Sequence, residues 1–136
     1  MKEPLVSICL ITYKHEKYIG QAIDGILMQE VNFPYEIIIA DDFSTDQTRK
    51  IILDYKNRFP EIIKTIFQIE NVGAGRNFVD LINAAEGKYI AYLEGDDFWI
   101  DSQKLQVQYD FLEANKDEET YRTCTCYHVC YHVCCC

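Results

Sequence analysis

The sequence lacks an excess of positive charge, a long apolar run and a signal peptide. It has 13 Lys and Arg residues against 22 Asp and Glu residues, a net charge of −9. Because a nucleic-acid or anionic-membrane surface needs a basic patch, we expect no nucleic-acid partner. No apolar run approaches the roughly 18–20 residues of a membrane-spanning helix. The run 5–11 is short and lacks a small-residue cleavage site after it, so a cytoplasmic protein is predicted.

Cysteine is nearly missing from the body of the chain. Cys9 lies in an apolar strand pattern and is predicted to be a small core residue, whereas the other six cysteines occupy the last thirteen positions. The body therefore has no disulfide framework, which fits a reducing compartment. A Walker loop is also absent, and Gly73 and Gly75 do not have the spacing of a dinucleotide-binding fingerprint.

The chain does contain alternating strand-like and helix-like segments, with the 49% hydrophobic content of a globular protein. Continuous apolar runs predict strands over 5–12, 36–40, 63–69 and 88–93. Helical spacing of apolar residues predicts helices over 17–29, from 44 to about 59, over 77–85, and from 101 or 102 to about 113. This order requires parallel crossovers, so we predict an α/β fold with a mostly parallel sheet flanked by helices, in one domain over residues 1–116.

Local signals refine the helix ends and turns. Ser44 and Gln47 form the pattern of a capping box, with Ser44 as N-cap of the second helix. Residues 71–75 are predicted to form a turn, and Gly87 is predicted to stop the third helix.

Three carboxylates, those of Glu94, Asp96 and Asp97, follow the fourth predicted strand within four residues. Such a group is self-repelling unless a cation neutralises it, and oxygen ligands suit Mg²⁺ or Mn²⁺. Asp41 and Asp42 follow the second strand, and parallel strands bring both groups to one rim, where ligands bind in α/β folds. The alternative for Asp41 and Asp42 is that they only favour the positive end of the next helix.

The first predicted strand ends at Thr12 and Tyr13, so the loop that follows is a natural ligand contact. His15 is interpreted as an exposed residue at a helix start. Arg76 is predicted to be the only arginine near the rim, where a guanidinium suits a phosphate or a base edge. A solvated arginine explains the same pattern, and both interpretations stay open.

Four segments together resemble the N-terminal, nucleotide-sugar-binding half of a family 2 glycosyltransferase with the GT-A (Rossmann-like) fold. They occur in the family's order within residues 4–115, and they are 6–13, 36–46, 71–77 and 94–99. The resemblance implies that the chain is a truncated form of that fold, with the acceptor site and the catalytic base beyond its end.

The resemblance also implies contacts with a nucleotide-sugar donor, most often UDP-linked. Thr12 and Tyr13 would lie against the nucleobase. Asp42 would bond the uracil or ribose, with Asp41 supporting it, and Arg76 would lie near the base or diphosphate.

The acidic loop has implied roles of its own. Asp96 would contact the ribose, and Asp97 would bind Mg²⁺ or Mn²⁺ as in the family's DXD-type motif. Glu94 would assist the metal, for example through water. The implied reaction is transfer of the sugar, with inversion, to a glycan or lipid-linked acceptor. Because lipid-linked acceptors lie at membranes, we also expect peripheral association with the inner face of the membrane.

Two other function classes are weighed against this one. The first is a nucleotide-binding module without turnover, lacking the acceptor half and base. The second is a phospho-acceptor receiver domain, which places its acidic pair after the first strand. Here Thr12 and Tyr13 occupy that position, so this class is disfavoured.

The tail, residues 117–136, breaks with the composition of the body. Its charged start and its cysteines and histidines leave three interpretations open: a soft-metal site, a β-strand over 123–132, or an artefact of truncation or reading frame.

Overall fold

A computed structural model describes residues 2–115. Four strands alternate with four helices, which confirms the predicted order. The strands are β1 (Val6–Thr12), β2 (Tyr35–Asp41), β3 (Ile63–Phe67) and β4 (Tyr89–Glu94). The helices are α1 (Ile19–Leu27), α2 (Thr48–Arg58), α3 (Ala74–Asn83) and α4 (Lys104–Ala114). The three interpretations of the tail concern residues outside this range, and the predicted domain boundary stays a prediction.

All four strands are parallel and form one sheet in the order β3-β2-β1-β4. The register places Thr12 beside Asp41, and Ile11 beside Glu94. The carboxyl ends of β1, β2 and β4 therefore meet at one edge, as predicted. The order also reverses at β1, because the chain adds β2 and β3 on one side and β4 on the other.

Alternating side chains along the strands bury two apolar layers. Ile8 and Leu10 of β1 pack with α1, α2 and α4 on one face. Cys9, together with Leu81 of α3, packs on the other face. Burial raises the pKa of the Cys9 thiol to about 12, with a further contribution from the negative charge of Glu36. The prediction that Cys9 is a core residue is confirmed.

The predicted capping box at Ser44 is wrong. The α2 helix begins at Thr48, and the Ser44 hydroxyl instead accepts a hydrogen bond from Lys14 N (2.8 Å) and donates to the Asp41 carboxylate. Asp46 supports the helix start, because its Oδ1 accepts from Thr48 N at 3.0 Å. Ser44 is thus occupied by bonds to the ends of β1 and β2.

Two other local predictions are corrected. The α3 helix begins at Ala74, inside the predicted turn, because Gly73 adopts φ +87° and its carbonyl accepts from Asn77 N at 3.0 Å. Helix α3 ends at Asn83, four residues before Gly87. Gly87 instead lies against β1, where a Cβ would be 2.5 Å from Ser7 N.

The amino end of the sheet holds a buried carboxylate. Glu36 Oε1 accepts from Ser7 Oγ (2.6 Å) and Glu86 N (2.9 Å), and its Oε2 lies 2.7 Å from Lys64 Nζ. Burial by itself would raise the pKa of Glu36, but the bonds from Lys64, Ser7 and Glu86 outweigh it and hold the pKa below its ordinary value. This charged cluster lies at the edge opposite the carboxyl ends and belongs to the scaffold.

Within residues 2–115, none of the helices combines the length and the apolar character needed to cross a bilayer.

Candidate functional site

A cavity of about 320 Å³ lies over the carboxyl ends of β1, β2 and β4. It is lined by Thr12 at the end of β1, by Tyr13 and His15 in the loop that follows, by Asp42 after β2, and by Glu94 at the end of β4. The third crossover, from Asn71 to Asn77, closes another side. This is the switch point where the strand order reverses, the usual ligand crevice of an open α/β sheet.

The three predicted acidic side chains come together at the edge of this cavity. Glu94, Asp96 and Asp97 each offer a carboxylate oxygen, and these oxygens lie within 4.8 Å of one another. A turn shapes the loop, because Asp97 N donates to Glu94 O at 3.0 Å. A hard divalent cation takes oxygen ligands, so these residues fit Mg²⁺ or Mn²⁺ by type and by spacing.

Gly95 allows the acidic loop to lie directly on the end of β1. Its N–H donates to Ile11 O at 2.8 Å. A Cβ at this position would lie 2.5 Å from Thr12 Oγ1 and 2.7 Å from His15 Nδ1, closer than side-chain atoms approach. The acidic loop and the loop after β1 are therefore in contact through a position that has room only for glycine.

Trp99 anchors the other end of the acidic loop. Its side chain is buried in the larger apolar layer. Helix α1 approaches its backbone at Gly25, where a Cβ would lie 2.8 Å from Trp99 O. The three carboxylates are thus held between a strand end and a core tryptophan, which limits how far the loop can move.

Asp41 is fully buried and bonded within the protein. It accepts hydrogen bonds from Ser44 Oγ, from Ser44 N at 2.9 Å and from Arg49 Nε at 2.5 Å. The guanidinium of Arg49 also donates to Gln68 O at 2.5 Å. Asp41 therefore fixes the loop after β2 and the first turn of α2.

Asp42 lines the cavity and holds the start of the third crossover, which closes another side of it. Its two carboxylate oxygens accept from Val72 N (2.7 Å) and Gly73 N (3.0 Å), and its carbonyl accepts from Asn71 Nδ2 (3.2 Å). A carboxylate oxygen has two acceptor sites, so each oxygen of Asp42 keeps capacity for a ligand.

Thr12 and Tyr13 occupy different environments at the end of β1. Thr12 is buried, and its Oγ1 lies 2.9 Å from His15 Nδ1. Tyr13 is exposed at the mouth of the cavity, with Lys14 Nζ 5.2 Å from its ring centroid. An exposed aromatic face beside a polar cavity offers a stacking surface for a planar ligand.

Arg76 does not line the cavity. It lies on α3 with a 68% exposed side chain, and its Nε donates to Asp80 Oδ1 at 3.0 Å. The prediction that it is the only arginine near the rim is wrong, because Arg49 bonds to Asp41 at the end of β2. Arg49 acts within the scaffold and not in the cavity lining.

Sequence reasoning missed the positions of His15 and Arg49. His15 was interpreted as an exposed residue, but it is partly buried, lines the cavity, and places Nε2 3.9 Å from Asp96 Oδ2. Arg49 follows Asp41 by eight residues, a separation that gives no local signal of an ion pair. The contact of His15 with Asp96 arises only because β1 and β4 are neighbours in the sheet.

The charge of the lining residues constrains the ligand. Asp42 and Glu94 are acidic, His15 is the one titratable base, and no lysine or arginine is among the lining residues. An anionic ligand in this cavity therefore needs a cation beside it, and the acidic loop provides carboxylates for one.

The comparisons with known proteins agree with this architecture. An uncharacterised protein of Mycobacterium tuberculosis is 42% identical over 123 residues, which is 90% of this chain and 34% of that protein. S. aureus TarS 1-349, solved with UDP, superposes with a TM-score of 0.72 at 28% identity over 82% of this chain and 32% of that one.

A third likeness concerns the fold alone. The mannosyltransferase PcManGT from Pyrobaculum calidifontis, solved with GDP-Man and Mn²⁺, has a TM-score of 0.72 at 21% identity, over 82% of this chain and 33% of that one. This chain spans about a third of the length of each of the three proteins. The parallel sheet and its four flanking helices match the GT-A glycosyltransferase fold.

The profile described as "Glycosyl transferase family 2" matches residues 7–122. Apart from Val6, this match covers all four strands, the cavity, the acidic loop and the four segments that suggested the same family. The chain belongs to glycosyl transferase family 2.

Proposed function

We propose that this chain forms the nucleotide-sugar-binding part of a metal-dependent glycosyltransferase, with a UDP-linked sugar as donor. The observation that carries the proposal is the cavity at the β1–β4 switch point, lined by Asp42 and Glu94 and bordered by three clustered carboxylates. A diphosphate is repelled from such a site unless a divalent cation lies between them. Family membership and the UDP bound to S. aureus TarS support this choice of ligand.

The roles we propose for the nucleoside contacts are those that the family resemblance implies, and the presence of Thr12, Tyr13 and Asp42 in the cavity lining supports them. Tyr13 stacks on the nucleobase, and Thr12 lies below it in the wall. Asp42 bonds the uracil or ribose through its remaining acceptor sites while Asp41 holds the loop. Arg76 swings in toward the base or diphosphate, which is possible because its ion pair with Asp80 lies at the surface and is weak.

The roles we propose for the acidic loop concern the ribose and the metal. Asp96 contacts the ribose, Asp97 binds Mg²⁺ or Mn²⁺, and Glu94 assists, directly or through water. When bound, the metal neutralises the diphosphate and stabilises it as a leaving group. We assign no catalytic base to residues 2–115.

The whole reaction is likewise a proposal. It is transfer of the sugar with inversion to a glycan or lipid-linked acceptor, in the cytoplasm or at the inner face of the membrane. A nucleotide-binding module without turnover remains the second candidate, because the chain spans about a third of its relatives. Incubating the chain with UDP-sugar and acceptor glycans, and following UDP release, separates the two.

Calorimetric titration of UDP with and without Mn²⁺ tests the proposal. We expect metal-dependent binding to the wild-type chain, binding lost in Asp97→Ala, and binding retained in Asp54→Ala, a control at an exposed position of α2. GDP as competitor tests the preference for UDP. Equal UDP binding without metal, or no binding by a chain that circular dichroism shows to be folded, would contradict the proposal.

A further inference from the structure

His15 joins the two loops that border the cavity. Its Nδ1 lies 2.9 Å from Thr12 Oγ1, and its Nε2 lies 3.9 Å from Asp96 Oδ2. The ring is 24% exposed and lies against Gly95, whose missing Cβ makes this approach possible.

The Thr12 hydroxyl can either donate to Nδ1 of His15 or accept from it, according to the tautomer of the ring. In the tautomer in which Thr12 donates, the ring hydrogen lies on Nε2, which faces the Asp96 carboxylate. A separation of 3.9 Å exceeds a direct hydrogen bond, which needs about 2.7–3.2 Å. The Asp96 side chain is 48% exposed, so we expect a rotation of it to close this gap; such contacts are often long before the ligand binds.

We propose that His15 is a positioning residue of the sugar-donor site: it orients Asp96 from the end of β1. The inference rests on the proposed function, in which Asp96 contacts the ribose. Thr12 fixes the ring, the ring directs Nε2–H at the carboxylate, and Gly95 keeps the two loops in contact. His15 itself then needs no bond to the nucleotide to affect its affinity.

The experiment is a double-mutant cycle on UDP affinity in the presence of Mn²⁺, using the 136-residue chain. Loss of a hydrogen bond to a charged group is expected to weaken binding about tenfold in His15→Ala. In Asp96→Ala the same histidine substitution is expected to cost nothing, because the group that it orients is gone. A purely structural role would instead weaken binding in both backgrounds.

Two further variants keep the result interpretable if His15→Ala does not fold. His15→Phe fills the same space without hydrogen bonds and is expected to bind about tenfold more weakly than wild type. His15→Gln retains both a donor and an acceptor and is expected to restore affinity. Lys17→Ala, at an exposed position just beyond, is the matched control and is expected to match wild type.

The outcomes separate the inference from the function on which it rests. If wild type binds UDP with Mn²⁺ but His15→Phe binds equally well, or the effects of His15→Ala and Asp96→Ala simply add, the positioning role is overturned and the proposed function stands. If folded wild-type chain fails to bind, both are overturned.

Discussion

Arg49 Nε lies 2.5 Å from Oδ2 of Asp41, a carboxylate with no exposed surface. The same guanidinium lies 4.9 Å from the ring centroid of Phe67 and donates to the carbonyl of Gln68. One side chain from α2 thus ties together the ends of β2 and β3, next to the cavity that Asp42 lines.

Arg49→Met is expected to destabilise the fold, because it leaves Asp41 buried with an uncompensated charge. Removing one partner of a buried pair costs about 3–5 kcal/mol, and we expect about 3 kcal/mol here because Arg49 is partly exposed. Urea denaturation measures the change. Lys50→Met, at the next and exposed position, is the control, and equal midpoints for the two variants would contradict the assignment.

Gly95→Ala is expected to displace the acidic loop, since its Cβ would overlap Thr12 and His15. Overpacking of this kind costs about 1–3 kcal/mol, and UDP affinity in Mn²⁺ should fall with it. Gly75→Ala is the matched control: nothing lies within 4 Å of its Cβ position, and it lies within α3. There alanine should stabilise the helix by up to about 1 kcal/mol. Equal stability changes in the two variants would refute the close approach at Gly95.

Stability is expected to fall with acid partly through Glu36. Its folded pKa is below the ordinary value of 4.5, so its charge stabilises the fold above 4.5, and this contribution is lost as the pH falls through the lowered pKa. Unfolding free energies between about pH 6 and pH 3 should therefore drop less steeply in Glu36→Gln than in wild type. Glu61→Gln, at an exposed site, should keep the wild-type slope. An unchanged slope in Glu36→Gln would exclude this carboxylate as the source.

The Cys9 thiol is expected to resist alkylation in the folded protein. With a pKa of about 12, roughly one thiol in ten thousand is ionised at pH 8, and the side chain has no exposed surface. Mass spectrometry of peptides after maleimide treatment should find Cys9 unlabelled in buffer and labelled in urea. Rapid labelling in buffer would mean that α3 does not cover this face of the sheet.

The order of elements could be predicted because each strand is a continuous apolar run and each helix has a distinct apolar face. Their ends were less predictable. Ser44 has the local pattern of a helix cap, but Asp41 and Lys14 N compete for its hydroxyl, and that competition depends on the sheet. The role of Gly87 also depends on the sheet: a side chain there would collide with the backbone of Ser7, which no local pattern in the sequence reveals.

In the candidate site, too, some residues could be predicted from the sequence and others could not. Runs of acidic residues after a strand identify Asp42, Glu94, Asp96 and Asp97, because parallel strand ends share an edge. His15 was not identified, because its partners Thr12 and Asp96 come from both sides of the β1–β4 junction. Sequence spacing places strand ends at an edge, but it does not determine which loop side chains bridge them.

The loops around the cavity are connected to one another mostly by hydrogen bonds that backbone N–H groups donate to side-chain oxygens. Lys14 N is held by Ser44, Ser44 N by Asp41, and Val72 N and Gly73 N by Asp42. Amides in irregular loops usually exchange with solvent far faster than those in strands. These four should exchange slowly and together, so that the rim opens as one cooperative unit in deuterium exchange.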